Sequence, residues 1–181
     1  MGTAPTGVVT FLFTDIEGST RIWEQHPREM RDTLALHDGL LREGFARHSG
    51  FVFGILGDGF AVAFSSPADA IEAAVDVQAA LHETDWPHGD DLRVRIAIDS
   101  GVTDERDDEY YGTPLNRLGR IMKEVEGGTS VITSTTAHLA HDVLGPDVEL
   151  HNGRTIQLEG LEEPVEIHEI RNGNHIAAEP P

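Results

Sequence analysis

The order in which apolar segments follow one another restricts this chain's fold more than any other feature. Val8 to Thr14 (VVTFLFT) is a run of β-branched and aromatic residues, the pattern of a buried strand. A helical stretch begins near Arg28, where Met30, Leu34, His37, Leu41 and Phe45 recur at spacings of three and four. Two further strands, Phe51 to Leu56 and Phe60 to Phe64, are joined only by Gly57-Asp58-Gly59, a hairpin signal. Ser66-Pro67-Ala68-Asp69 opens a second helix with a capping serine, a proline at the first helical position and an acid in the first turn. Its apolar face reads Ile71, Ala74, Val75, Gln78 and Leu81, and Leu92 to Ile98 is the next strand. Strand, helix, strand, strand, helix, strand is the split βαβ order, so the expected fold class is α+β with a ferredoxin-like βαββαβ core.

Additional C-terminal helices and strands follow that core. An acidic connection (Thr103 to Glu109) leads to a third helix from about Pro114 to Glu126. A strand at Ser130 to Thr133, a short helix from about Thr135 and two closing strands (Glu149 to Leu158, Pro164 to Ile170) complete the pattern. There is no repeat or linker in the 181 residues. The expected division is an N-terminal extension over 1–7, one domain over 8–171 and a disordered tail over 172–181. The formal net charge is −19, so phosphate backbones and anionic membrane surfaces are repelled and neither a nucleic acid nor a membrane is an expected partner. Without cysteine there are no disulfides, thiolate metal sites or cysteine nucleophiles. No apolar run approaches the ~20 residues of a membrane span and the N-terminus lacks a signal-peptide pattern, so a cytoplasmic location is expected.

Two acids stand where folding does not demand them. Asp15 ends an apolar strand, and Asp58 sits at the tip of a glycine-flanked hairpin. A ferredoxin-like sheet brings those strands side by side, and two carboxylates at one sheet edge repel unless a cation lies between them. Hard divalent cations such as Mg²⁺ or Mn²⁺ favour such oxygen ligands. Taken singly, Asp58 reads more simply as a turn residue and Asp15 as a helix cap. After Asp15, the segment Ile16-Glu17-Gly18-Ser19-Thr20 enters a helix whose free N–H groups suit a phosphate. On the third helix Asn116 and Arg120 lie four apart, on one face. Gly119 between them hints at a close approach to the backbone. The run Asp104 to Glu109 lacks EF-hand spacing, His138 and His141 have no third ligand nearby, and no G-x-S-x-G is present.

Three segments, Phe13-Thr14-Asp15-Ile16-Glu17-Gly18-Ser19-Thr20, Gly57-Asp58-Gly59-Phe60 and Tyr111-Gly112-x-x-Leu115-Asn116-x-x-Gly119-Arg120, with the closing Leu158-Glu159-Gly160-Leu161, resemble class III nucleotidyl cyclases, the adenylate/guanylate cyclase catalytic domain. The resemblance implies a phosphorus–oxygen lyase that makes a 3′,5′-cyclic nucleotide and pyrophosphate from a nucleoside triphosphate. It implies that Asp15, Asp58 and the Ile16 carbonyl hold two divalent cations, Mg²⁺ or Mn²⁺. Ile16, Glu17, Gly18, Ser19 and Thr20, with Gly57, would cradle the phosphates, and Arg95 would face the leaving group. Asn116 would orient the ribose and Arg120 would stabilise the transition state. It also implies a homodimer, one chain supplying the aspartates and the other the Asn and Arg.

Base recognition departs from the family's pattern. The position of the adenine-selecting lysine is Gly54, its acidic partner position is Glu109, and the closing segment carries Glu159 where a phosphate-binding lysine is common. The expected substrate is ATP, because adenylate cyclases dominate the family. A pyrimidine triphosphate (UTP or CTP) is the alternative that Gly54 leaves open, and a non-catalytic nucleotide-binding or dimerisation module is the third reading.

Overall fold

The computed structural model describes residues 4–107 and 109–173. Residues 1–3 of the extension, residue 108 of the acidic run and the tail from 174 onward lie outside the described residues.

The first strand, β1 (Val8–Ile16), is the axis of the molecule. Its odd-numbered residues Val9, Phe11 and Phe13 enter one apolar cluster, and Leu12 and Ile16 enter the other, on the opposite face. Burial on both faces is why the strand reads as continuously apolar. After a short helix α1 (Ser19–Gln25), α2 (Glu29–Arg47) buries Met30, His37, Leu41 and Phe45 as its periodicity predicts. Thr33 and Gly44 are buried too, while Leu34 is only half-buried. The hairpin β2 (Phe51–Leu56) and β3 (Gly59–Phe64) follows, with a register irregularity between Val52 and Gly54. Helix α3 (Pro67–His82) starts at Ser66, whose hydroxyl accepts from the Asp69 amide at 3.4 Å. Its buried face is Ala70, Ile71, Ala73, Ala74, Val77 and Leu81. Val75 is half-buried, and Gln78 sits at the margin, where its amide donates to Val94 O, Thr129 O and Ser130 Oγ.

Strand β4 (Val94–Val102) pairs antiparallel with β1 along its whole length. It runs past the predicted end at Ile98 because Asp99 and Ser100, which suggest a strand end by polarity, are buried and hydrogen-bonded inside the sheet. The acidic run is a small hairpin, not an open loop: β5 (Asp104–Arg106) pairs with β6 (Glu109–Tyr111). The third predicted helix is shorter than expected. It comprises α4 (Thr113–Ile121) and one tighter 3₁₀ turn (Met122–Glu124). Arg95 donates to Met122 O at 3.3 Å and Arg154 to Glu124 O at 2.8 Å, satisfying carbonyls that a terminating helix leaves unpaired. Strand β7 (Ser130–Thr133), helix α5 (Ser134–Ala140), β8 (Val148–Ile156) and β9 (Val165–Asn172) complete the order.

The seven-stranded sheet runs β2-β3-β1-β4-β7-β9-β8, antiparallel except for the β4–β7 pair. Its first four strands have the ferredoxin-like order. Helices α2, α3 and α5 share a cluster with one face, while α4 and Tyr110 of β6 pack on the other. Among the described residues no helix is long and apolar enough to cross a membrane.

Candidate active site

Sequence-distant acids meet at the end of β1. Gly57 adopts a left-handed conformation (φ 67°) and turns the chain so that Asp58 faces β1. A Cβ on Gly59 would overlap the Thr14 carbonyl oxygen, so only glycine lets β3 come this close to β1. The Phe60 amide then donates to Thr14 Oγ1 at 2.9 Å and locks the crossing. Asp15 follows Thr14, and β4 presents Arg95 opposite it in register. Arg95 Nε is 3.1 Å from Asp15 Oδ2, a charge contact without hydrogen-bond direction. Burial and the negative charge of Asp58 raise the Asp15 carboxyl above its ordinary range, and Arg95 partly opposes them. Asp58 Oδ2 is sealed from solvent with no hydrogen-bond partner.

This donor set fits a hard divalent cation: two convergent carboxylates, one with an uncommitted buried oxygen, beside the backbone of Ile16. Asp15 does not cap α1, whose N-cap is Gly18 with φ 68° and no side-chain bond. No cluster of three or more His, Cys, Asp or Glu side chains exists among the described residues, so a backbone carbonyl would be needed to complete such a ligand set.

The loop after Asp15 is narrower as an anion cradle than the sequence suggests. The Glu17 amide is committed to Arg93 O at 2.9 Å, whereas the amides of Gly18, Ser19 and Thr20 have no backbone acceptor among the described residues. The Glu17 carboxylate, an awkward charge beside a phosphate, is held aside. It accepts from the Gly127 amide at 2.9 Å and lies 3.5 Å from Arg93, which itself donates to Gly127 O. Gly127 has no room for a side chain, since a Cβ would lie 2.7 Å from Glu17 Oε2.

The other half of the predicted constellation forms no hydrogen bond or ion pair with the two carboxylates among the described residues. On α4 Asn116 is exposed and Arg120 half-buried, and Arg120 forms no ion pair with a described residue. Arg120 lies against Gly160, where a Cβ would be 3.3 Å from its Nη2. Among the described residues nothing lies within 4 Å of where a Cβ on Gly119 would stand, so they do not make the close contact expected there. The start of α4 is fixed by Pro114 packed on Gly101, and its next turn by Arg117 bound to Asp99. Gly101 and Asp99 pair with Val9 and Phe11 of β1, six and four residues from Asp15. At ~3.4 Å per residue this puts Asn116 on the order of 15 Å along the strands from Asp15. One copy therefore does not bring Asn116 and Asp15 onto the same reacting atom.

The base-specificity positions are also placed. Gly54 lies on edge strand β2, where a Cβ would make ordinary contact with Ala61 at 3.5 Å, so packing does not require glycine. Glu109, on β6, is exposed and accepts a hydrogen bond on Oε2 from the Tyr111 hydroxyl, which raises the tyrosine's pKa. Phe53 and Tyr110, beside these two positions, stack edge-on with Phe11 and with each other. Sequence reasoning missed Asp99, Arg117, Arg93 and Gly127. An acid after Ile96-Ala97-Ile98, in a strand with both faces covered, signals an obligatory partner.

The family profile for the adenylate and guanylate cyclase catalytic domain matches residues 1–172. An uncharacterised Mycobacterium tuberculosis protein, Rv0891c, is 32% identical over 162 residues, covering 88% of this chain and 54% of that relative. The chain thus spans about half the length of that curated relative. Adenylate cyclase from Trypanosoma brucei, solved in a monomeric state, superposes with a TM-score of 0.79 at 27% identity, covering 92% of this chain and 90% of the other. The guanylyl cyclase Cya2 superposes with a TM-score of 0.77 at 26% identity, covering 98% of each chain.

Proposed function

This chain belongs to the adenylate and guanylate cyclase catalytic domain family, and we propose that it cyclises a nucleoside triphosphate, ATP foremost, at sites built across a homodimer. What supports this reading is that within one chain Asn116 stands apart from the two convergent carboxylates. Asp15 and Asp58 converge at one end of β1, and Asn116 stands about 15 Å away along the strands, exposed on α4. A two-fold axis can bring α4 of one copy to the carboxylates of the other and make two equivalent sites.

Asp15, Asp58 and the Ile16 carbonyl would hold two Mg²⁺ or Mn²⁺ ions, which when bound supply Lewis acidity for the 3′-hydroxyl and counter-charge for the phosphates. The amides of Gly18, Ser19 and Thr20 receive the terminal phosphates, with Gly57 leaving the approach open, and Arg95 faces the leaving group. Asn116 from the second copy orients the ribose, and its Arg120 stabilises charge at the α-phosphorus. The 3′-hydroxyl gives its proton to solvent water, and its oxygen bonds to that phosphorus while the bond from the phosphorus to the oxygen bridging the β-phosphate breaks. The products are the 3′,5′-cyclic nucleotide and pyrophosphate.

Glu109 reads the base as an acceptor, its carboxylate braced by Tyr111. It suits the exocyclic amine of adenine. Gly54 favours a second reading, a pyrimidine substrate, because position 54 offers no side chain to select a purine. Of the pyrimidines, cytosine presents an amine to Glu109 and uracil a carbonyl, so CTP is the stronger alternative.

The test incubates purified protein with ATP, GTP, CTP or UTP and Mn²⁺ and identifies products by mass. Cyclic nucleotide is expected, most from ATP, with losses of about 100-fold or more in Asp15→Asn, Asp58→Asn and Asn116→Ala. Mixing Asp15→Asn with Asn116→Ala should return about a quarter of wild-type activity, because half the dimers then hold one intact site of two. No cyclic product from any triphosphate overturns the proposal. Nucleotide binding that persists in Asp58→Ala without turnover would instead identify a non-catalytic module.

A further inference from the structure

Asp99 is a fully buried carboxylate that the proposed chemistry does not use. Its Oδ2 accepts from Arg117 Nε at 2.6 Å and its Oδ1 from the Thr133 hydroxyl at 2.7 Å. Thr133 also caps α5, accepting from the Thr136 amide at 3.3 Å. The Thr136 hydroxyl is 3.0 Å from Ser100 Oγ, which is 2.8 Å from Thr10 Oγ1. A polar chain thus runs from α4 through β4 into α5 and β1. Burial pushes the Asp99 carboxyl up, and the bonds from Arg117 and Thr133 pull against that shift.

Apart from the bond of Arg95 to Met122 O just past the helix's end, the other contacts described between α4 and the sheet are apolar: Leu118 and Ile121 share a cluster with Phe11, Ala63 and Ala97, and Pro114 packs on Gly101. Such a contact is non-directional and sets area more firmly than rotation. The pair at Arg117 is directional. It is also a poor choice for stability, because desolvation of a buried ion pair commonly cancels its attraction. Arg117 follows Asn116 directly and precedes Arg120 by three residues, so anchoring it fixes the turn that carries both.

We propose that Arg117 is a positioning residue whose ion pair with buried Asp99 sets the rotation and height of α4, so that Asn116 and Arg120 reach the reacting nucleotide bound to a second copy. This rests on the reading of the site as a cyclase shared between two copies.

The experiment uses Arg117→Met and the double variant Asp99→Asn/Arg117→Met in the full chain. Arg117→Met leaves an uncompensated buried charge and lowers the melting temperature; the double variant removes that charge and returns it toward wild type. Positioning predicts that kcat stays about 10- to 100-fold down in the double variant, with kcat/KM falling in parallel. Return of kcat together with thermal stability would overturn the proposal, and the double variant carries the test even if Arg117→Met does not fold. Mixing adds a second readout. Chains carrying the double substitution should be rescued by Asp15→Asn chains and not by Asn116→Ala chains, because the defect belongs to the α4 half-site. Rescue by Asn116→Ala overturns the assignment. Failure of the underlying cyclase reading shows separately, as an inactive wild type or as no rescue between Asp15→Asn and Asn116→Ala.

Discussion

His37 carries a titratable ring into the core on the apolar face of α2. Its Nδ1 donates to Asp38 at 2.9 Å, which leaves Nε2 as an acceptor that is buried and unpaired. Burial lowers the pKa of the ring below the ordinary 6.5, against the opposing pull of Asp38 and then Asp58. The unfolded chain therefore binds a proton at this residue before the folded one does. Stability from the neutral ring is fully present above pH 6.5 and is lost as pH falls below it. Asp99 acts in the opposite sense, since its raised folded pKa makes acid favour the folded state at that residue. The expected result is a melting temperature that falls between about pH 7 and pH 5.5, with part of that slope missing in His37→Leu. Identical pH profiles for wild type and variant would remove His37 as the cause.

The β2–β3 hairpin shows how an element can be legible in sequence while its purpose is not. Gly57-Asp58-Gly59 announces a turn, and both strands fall within a residue of where apolar runs place them. The two glycines act for different reasons: Gly57 for its positive φ, Gly59 because β3 crosses the Thr14 carbonyl without space for a methyl group. Gly59→Ala must separate β3 from β1. A loss of about 1–3 kcal/mol or more is expected, seen as a melting temperature lower by about 2–4 °C per kcal/mol. Activity measured well below melting should fall as well, because Asp58 moves with the hairpin. A variant with wild-type activity would show that the spacing of β1 and β3 is not what the site needs. Local pattern was enough to place Asp15, Asp58, Asn116 and Arg120 on their elements, whose period or turn chemistry is explicit, whereas the roles proposed for them come from the family resemblance. It was not enough for Asp99, Arg117, Arg93 or Gly127, whose partners lie across the fold and follow only from sheet register. The same limit explains why β4 reads four residues too short and the hairpin of β5 and β6 reads as a loop. Asp99 and Ser100 become strand residues only because Phe11 and Thr10 lie opposite, and Asp104 to Arg106 only because Glu109 to Tyr111 fold back on them.

At the scale of the whole molecule the charge of −19 opposes the assembly that the proposed sites require. Two copies meeting across α4 and the carboxylate end of β1 bring like-charged bodies within a few ångströms. The repulsion extends over about 30 Å at 0.01 M ionic strength and about 8 Å at 0.15 M. Apolar side chains left exposed on one copy, among them Ile55, Leu56, Val102 and Tyr111, offer attraction that salt does not weaken. The balance therefore shifts toward the dimer as salt is added, opposite to the behaviour of a protein assembled by complementary charge. Sedimentation at fixed protein concentration should show a growing dimer fraction as NaCl rises from about 0.01 to 0.15 M. At low protein concentration, specific activity should rise over the same range, because under the proposed shared site an isolated copy has only half-sites. The rise should vanish at protein concentrations where dimer already dominates. Weaker association with added salt would mean that the surfaces meet through opposite charges, and activity independent of protein concentration would mean that one chain suffices.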